Sequence, residues 1–203
     1  MSKRGDFSIS FPPGRVLEYD DEDHIYLCDG VIIPSVSQIV RASFPDKYAG
    51  VAHGTLQAAA ERGTAIHGIV EGYVNYGVCD PLTDELRGYR FLERTYNFKA
   101  VMAEIPLLYC EGDTPIFAGR MDLLIHEGNK NILADIKSTA TLDKRMLAVQ
   151  LNLYRIAFEQ CYSTFVDGLR GIHLRGKTRK YVEIPMDENI ALQAIKNFKE
   201  IKE

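Results

Sequence analysis

Residues 117–139 (FAGRMDLLIHEGNKNILADIKST) constrain the fold more than any other segment, because they have the pattern of two strands joined by a tight turn. Side chains alternate between the faces of a strand, so Asp122 is predicted to lie opposite an apolar set, Met121, Leu123 and Ile125. On the second strand, Asp135 and Lys137 are predicted to share a face, opposite the apolar set Ile132, Ala134 and Ile136. A Gly-Asn pair between the strands supplies the positive φ angles that a hairpin turn requires.

Pairing of the two strands about this turn brings Asp122 and Asp135 near each other, with Lys137 on the same surface. Charged groups left alone in an apolar sheet are costly, so these three should reach a solvent-filled cleft or bind a ligand. Oxygen ligands of this kind suit a hard divalent cation. The acid-x-Lys triplet alone is weak, since residues 200–202 (EIK) repeat it on a predicted helix, and a solvated strand face is the alternative.

Four motifs follow one another along the chain: GTAIHGIVE at 63–71, GRMD at 119–122, DIK at 135–137 and QLNLY at 150–154. This series resembles the PD-(D/E)XK nuclease superfamily. The His before the core and the Gln-x-x-x-Tyr after it are most similar to the RecB-like and phage exonuclease branch. The resemblance covers residues 62–185 and implies an α/β fold, a restriction-endonuclease-like central mixed β-sheet flanked by helices, to which this chain adds an N-terminal β-meander.

The resemblance implies a set of catalytic residues and a set of metal ligands. The catalytic set is Asp122, Asp135 and Lys137, and the metal set is His67, Asp122, Asp135 and the carbonyl of Ile136. The cofactor would be magnesium or manganese. From the residues alone, His67 is better explained as a packed or hydrogen-bonded helix histidine, and only the G-T-x-x-H context of the resemblance favours a metal ligand. Glu71 and Glu104 are expected to bind the metal or to contact one of its ligands. The alternative for both is a solvated surface charge.

A further set of residues is expected to bind the substrate. Gln150 and Tyr154 are one helical turn apart, and the resemblance places both in the site. The alternative for Tyr154 is a place in the core, where a tyrosine on the apolar face of a helix is more often found. Basic side chains precede and follow them. Lys144 and Arg145 begin the helix after the site, and a late hairpin carries Arg170, Arg175, Lys177, Arg179 and Lys180. These basic residues can neutralise DNA phosphates, or they can be an ordinary solvated helix end and hairpin tip.

The length of 203 residues favours one domain. Four parts are predicted within it: a flexible arm at 1–14, an accessory β-meander with a short helix at 15–45, a nuclease core at 54–185 and a C-terminal helix at 187–203. The core is predicted to begin with a helix over 54–77 that is broken at Gly63, because glycine weakens a helix interior.

Composition excludes several classes of protein. A net charge of −4 means that any phosphate-binding surface must be local. The four cysteines lack a C-x-x-C pair and the C-terminal bunching of the relatives that carry an iron–sulfur cluster, so neither zinc, disulfides nor such a cluster is expected. No apolar run approaches the ~20 residues of a membrane helix, and the first residues lack a signal-peptide core. The expected location is the cytoplasm, that of a bacterial host if the protein is phage-encoded, with no membrane partner.

The motifs together predict a metal-dependent nuclease that hydrolyses DNA phosphodiester bonds, and more narrowly an exonuclease of phage-type recombination or DNA processing. Its expected partners are DNA, including single strands or ends, and a second copy of itself or a phage or host recombination protein. One alternative is a catalytically silent nuclease-fold protein that binds nucleic acid or a protein partner, which the intact Asp122, Asp135 and Lys137 argue against. The other is a globular interaction domain with chance motif matches, which would require Asp122 and Asp135 to be far apart.

Overall fold

The first sheet is a four-stranded antiparallel meander at the start of the chain. The computed structural model describes residues 6–12 and 14–202, with the side chain of Lys202 left out. The strands are β1 (Phe7–Phe11), β2 (Arg15–Asp20), β3 (Ile25–Cys28) and β4 (Val31–Ile33), and they pair in chain order. Helix α1 (Val36–Ser43) follows, and Ser35 and Gln38 form a capping box at its start. The predicted meander and short helix are therefore confirmed.

The second sheet is mixed and forms the centre of the molecule. Its strands are β5 (Phe98–Glu111), β6 (Thr114–Glu127), β7 (Lys130–Lys137), β8 (Gly168–Arg175) and β9 (Thr178–Ile184), in that order across the sheet. The pair β7 and β8 is parallel and the others are antiparallel. The predicted hairpin is β6 and β7, in which Leu123 pairs with Ala134 and Glu127 with Lys130. The α/β fold with a central mixed sheet and an N-terminal meander is confirmed.

Helices cover both faces of the central sheet. They are α2 (His53–Tyr76), α3 (Asp84–Tyr96), α4 (Lys144–Tyr162) and α5 (Glu188–Lys202), besides α1. One apolar core contains α1, α4 and α5 together with Leu133 of the sheet. A second core contains α2 and α3 together with Ala134 and Ile136. Consecutive residues of β7 thus pack into different cores, as strand alternation predicts. None of the helices in the described ranges is both long and apolar enough to span a membrane.

The meander is attached to β6 where β7 does not reach. The N–H of Ala118 donates to the carbonyl of Pro34 at 2.9 Å, and Ser35 forms an isolated bridge to the same residue. Leu17 and Tyr26 of the meander pack with Leu108 and Ala118 of the central sheet in a third core. The meander therefore forms one wall beside the first half of β6.

Three expectations about local structure are wrong. The predicted arm at 1–14 contains β1, because Phe7, Ile9 and Phe11 alternate with serines and pack toward the third core; residues 1–5 and 13 lie outside the described residues. Helix α2 is unbroken at Gly63, where an added Cβ would lie 3.6 Å from Ser138 Oγ, so this glycine permits a close approach. Met121 packs in the first core together with Leu124, whereas Leu123 and Ile125 pack in the second, so the three predicted residues do not share one core.

Candidate catalytic and metal site

Three acidic residues form a row across neighbouring strands. In the pairing of β5 with β6, Ala103 lies opposite Leu123 and Ile105 opposite Met121, which sets Glu104 beside Asp122. In the pairing of β6 with β7, extending the register from Leu123 and Ala134 by one residue sets Asp122 beside Asp135. Asp122 is 7% exposed and Asp135 is fully buried. The strand register therefore brings the two predicted aspartates together, and it adds Glu104 on the other side of Asp122.

His67 of α2 lies between the side chain of Asp122 and the main chain of Ile136, the residue that follows Asp135. Its Nε2 lies 2.8 Å from the carbonyl oxygen of Ile136, and its Nδ1 lies 3.2 Å from Asp122 Oδ1. The N–H of Ile136 donates to Asp122 Oδ2 at 2.7 Å. If Nε2 carries the proton that Ile136 accepts, Nδ1 of a neutral imidazole presents a lone pair to a carboxylate oxygen. A proton or a cation at Nδ1 removes that conflict.

Asp135, Lys137 and Gln150 form a closed ring of polar contacts. Lys137 Nζ lies 2.6 Å from Asp135 Oδ2 and donates to Gln150 Oε1 at 2.9 Å. Gln150 Nε2 donates to Asp135 Oδ1 at 2.8 Å. Both oxygens of the buried carboxylate are thus engaged, one by an ammonium and one by an amide. Helix α4 therefore contributes to the site through Gln150, which fixes the position of the acid and of the lysine together.

A compact group of metal-ligand atoms comprises His67, Glu104 and Asp122. One ligand atom from each lies within 4.8 Å of the other two. Glu104 has a φ of 54°, in the left-handed region, which is strained for a residue with a side chain. Asp135 and Glu71 are not members of this group; Glu71 is half-buried one turn beyond His67 on α2. The group thus contains two of the predicted ligands, His67 and Asp122. It also contains Glu104, one of the two acids whose role the sequence left undecided.

The ionisable groups of the site shift one another strongly. Burial would raise the pKa of Asp122, but the charges of His67 and Lys137 outweigh it and lower the pKa. Burial would lower the pKa of His67, but Asp122 and Asp135 outweigh it and raise the pKa. Burial raises the pKa of Asp135 to about 6 against the opposing charge of Lys137. The pKa of Lys137 is raised because both aspartates outweigh its burial. The charge of each group therefore affects the pKa of its neighbours in the site.

Tyr154 lies in the core beneath the site. It is 4% exposed, and an added Cβ at Gly119 would lie 2.9 Å from its ring carbon Cε1. Burial raises its pKa well above the ordinary value, with contributions from the charges of Asp122 and Asp135. Tyr154 is thus a buried core residue that is near enough to both carboxylates to be affected by their charges, and contact with a substrate stays a prediction.

The predicted basic residues have different surroundings. Lys144 and Arg145 are exposed at the start of α4, after its N-cap Asp143. Lys177 is exposed at the tip of the hairpin formed by β8 and β9, and Arg175 Nη1 donates to the carbonyl of Ser138 at 3.5 Å. These four residues remain accessible near the end of β7 and the start of α4.

Two other basic residues of the late hairpin are engaged with protein groups. The Arg179 guanidinium stacks 3.9 Å from the ring centroid of Phe91. Arg170 binds Glu127 with two nitrogens, at 3.1 and 3.2 Å, so its charge is compensated within the protein. For both residues, contact with DNA stays a prediction.

Sequence reasoning missed two residues beside the site. Arg120 of β6 lies 2.9 Å, Nε to Oε2, from Glu104. His173 of β8 is 3% exposed, pairs in register with Lys137, and has Nε2 2.7 Å from the carbonyl of Thr139. The sequence did contain a signal for each of them: Arg120 is a cation two residues before Asp122, and His173 is a histidine inside an apolar strand. Their partners, however, follow only from the strand register.

The sequence matches no family model and no curated protein. A solved chain described as "Crystal structure of SSO0001" is similar to this one, with 16% sequence identity and a TM-score of 0.47 over 84% of this chain and 76% of that chain. At that level of similarity, the two chains need not share a function.

Proposed function

We propose that this protein is a metal-dependent nuclease of the PD-(D/E)XK kind, which hydrolyses DNA phosphodiester bonds. The observation that carries the proposal is the convergence of Asp122 and Asp135, from paired strands, with the ammonium of Lys137 bonded directly to Asp135. Buried charges held at such cost favour a functional site over a structural one. Their order along the chain matches the motifs that resemble this superfamily.

The donor set fits a hard divalent cation. His67 Nδ1 is buried, finds no aligned hydrogen-bond partner among the described residues, and faces Asp122. Carboxylate oxygens suit magnesium or manganese, and an imidazole is a ligand for transition-metal ions, so the set as a whole fits manganese better than magnesium. The residues that would hold the ion are His67, Asp122 and Glu104, with Asp135 and the carbonyl of Ile136 beside them. Such an ion lowers the pKa of bound water and stabilises charge on a phosphoryl oxygen.

The side chains of the protein supply the remaining needs of the reaction. In-line attack on a phosphodiester requires an oriented water molecule and compensation of the negative charge that develops on the phosphoryl group. Lys137 Nζ is fixed by Asp135 and Gln150, so its ammonium is preorganised to hold the attacking water and to stabilise that charge. The carbonyl of Ile136 accepts from His67 and so orients the imidazole toward Asp122.

The proposed substrate is DNA, bound along the accessible basic residues. Lys144, Arg145, Arg175 and Lys177 lie at the start of α4 and at the hairpin tip. Arg175 reaches the carbonyl of Ser138, the residue after Lys137, so this tip lies next to the catalytic strand. Contacts of this type recognise the backbone and not the base sequence. The narrower proposal is an exonuclease that processes DNA ends, as in phage-type recombination.

Substitution of the central pair tests the proposal. Asp135→Ala and Lys137→Ala should each abolish magnesium- or manganese-dependent cleavage of DNA, a loss of at least about 100-fold, because each removes charge stabilisation at the reacting group. Glu200→Gln is the matched control, since it alters the second acid-x-Lys triplet, on α5, where Glu200 is exposed. It should leave activity unchanged. Circular dichroism checks that each variant is folded, and full activity in either alanine variant would refute the assignment.

A further inference from the structure

The cation that contacts Glu104 is an arginine from the same strand as Asp122. Arg120 and Glu104 lie 2.9 Å apart, and the side chain of each is 10% exposed. The contact is an ion pair of imperfect geometry, because Arg120 Nε is buried and finds no aligned hydrogen-bond partner among the described residues. Glu104 is also one of the three residues whose ligand atoms converge within 4.8 Å. One carboxylate thus faces both a guanidinium and a candidate metal position.

Arg120 has a second contact that does not depend on Glu104. Its Cζ lies 5.1 Å from the ring centroid of Tyr19, which belongs to the meander. A guanidinium over an aromatic ring is stabilised by the ring quadrupole. Arg120 can therefore keep a favourable position when Glu104 turns its negative charge toward a metal ion. The meander, joined to β6 at Ala118, provides that position.

We infer that Arg120 competes with the divalent cation for Glu104 and so holds the metal affinity of the protein low. The inference rests on the metal site of the proposed function. A carboxylate that is paired with a guanidinium has less charge to offer a metal ion, so the arginine and the metal compete for the same oxygens. Removal of the guanidinium should therefore tighten metal binding.

Calorimetric titration with Mn²⁺, in the absence of DNA, measures this competition. Arg120→Gln and Arg120→Met both remove the charge and preserve much of the length, so failure of one variant to fold does not end the test. Each should lower the dissociation constant for Mn²⁺ by about tenfold. Arg170→Gln is the matched control, because Arg170 also pairs with a glutamate, Glu127, and lies 5.8 Å from a tyrosine ring. It should leave the Mn²⁺ affinity unchanged.

A double-mutant cycle with Glu104→Gln identifies the route of the effect. In the Glu104→Gln background, Arg120→Gln should change the Mn²⁺ dissociation constant by less than about threefold, because there is no longer a carboxylate to compete for. Unchanged or weaker Mn²⁺ binding by the folded Arg120 variants would overturn the inference. An equal gain in both backgrounds would also overturn it, since Arg120 would then act by its charge alone. If the cycle behaves as expected but the protein cleaves no DNA, only the nuclease proposal fails.

Discussion

Replacement of Gln150 by leucine should destabilise the protein by removing two hydrogen bonds to charged groups. The amide donates to Asp135 Oδ1 at 2.8 Å and accepts from Lys137 Nζ at 2.9 Å. A hydrogen bond to a charged group contributes about 1.5–3 kcal/mol, and Asp135 is fully buried, so water cannot replace the lost donor. Leucine regains part of the loss by burying apolar surface. The expected decrease in the free energy of unfolding is about 2–4 kcal/mol.

The assay for this variant is chemical and thermal unfolding of the metal-free protein, followed by circular dichroism. For a chain of this length, the expected decrease corresponds to a fall in Tm of roughly 5–15 °C. Gln193→Leu is the matched control, because Gln193 is also a helix residue that donates its amide, to Asn197 at 2.7 Å, but it is exposed. Its effect should stay below about 0.5 kcal/mol. A Gln150→Leu variant as stable as the control would refute the view that this amide holds the buried pair.

Three further predictions follow from the site and its surroundings. The pKa of His67 is raised above its ordinary value of 6.5, and the pKa of Asp135 is raised to about 6. A group whose pKa is raised in the folded state stabilises the protein at pH values below its ordinary pKa, and this stabilisation is lost as the pH rises through the raised pKa. The protein in EDTA should therefore be less stable at pH 8 than at pH 5.5. This fall should be smaller in His67→Gln and Asp135→Asn when unfolding is measured across that range, and an equal fall would contradict the assignment. Lys177→Glu should weaken DNA binding and reduce the slope of DNA affinity against salt concentration by about 1, as measured by fluorescence anisotropy at several salt concentrations. Arg179→Glu should chiefly remove the packing of the guanidinium on Phe91 and lower stability. Unchanged DNA binding by the Lys177 variant would mean that the hairpin tip is an ordinary solvated turn. Gly119→Ala should cost about 1–3 kcal/mol of unfolding free energy, because its Cβ would lie 2.9 Å from Tyr154 Cε1 and 3.0 Å from Val36 Cγ2; a stability equal to that of the unsubstituted protein would show that this packing yields freely.

The β6–β7 hairpin could be predicted from the sequence because alternation and turn chemistry are local properties. The opposition of Asp122 and Asp135 follows from the same information, since the turn between Glu127 and Lys130 determines which residues face each other. The strand β1 was missed although Phe7, Ile9 and Phe11 alternate with serines, because the nearby prolines and glycine suggested an arm.

The rest of the site depends on contacts that sequence periodicity does not contain. Glu104 reaches Asp122 through the pairing of β5 with β6, where a register shift between Ala100 and Met102 and a left-handed φ at Glu104 break the regular alternation. Gln150 was expected to contact a substrate, but that it joins Asp135 to Lys137 depends on the packing of α4 against the sheet. Arg120 was missed because a charge beside Asp122 is informative only when its partner strand is known.

The most direct test is incubation of the purified protein with end-labelled linear DNA and with closed circular DNA, in magnesium, manganese or EDTA. We expect cleavage of linear DNA with either metal and none in EDTA, because the proposed reaction depends on a divalent cation held by the carboxylates and His67. Digestion of linear but not circular DNA would support action at DNA ends. If both DNA forms stay intact with every metal while the protein remains folded, the nuclease proposal is wrong.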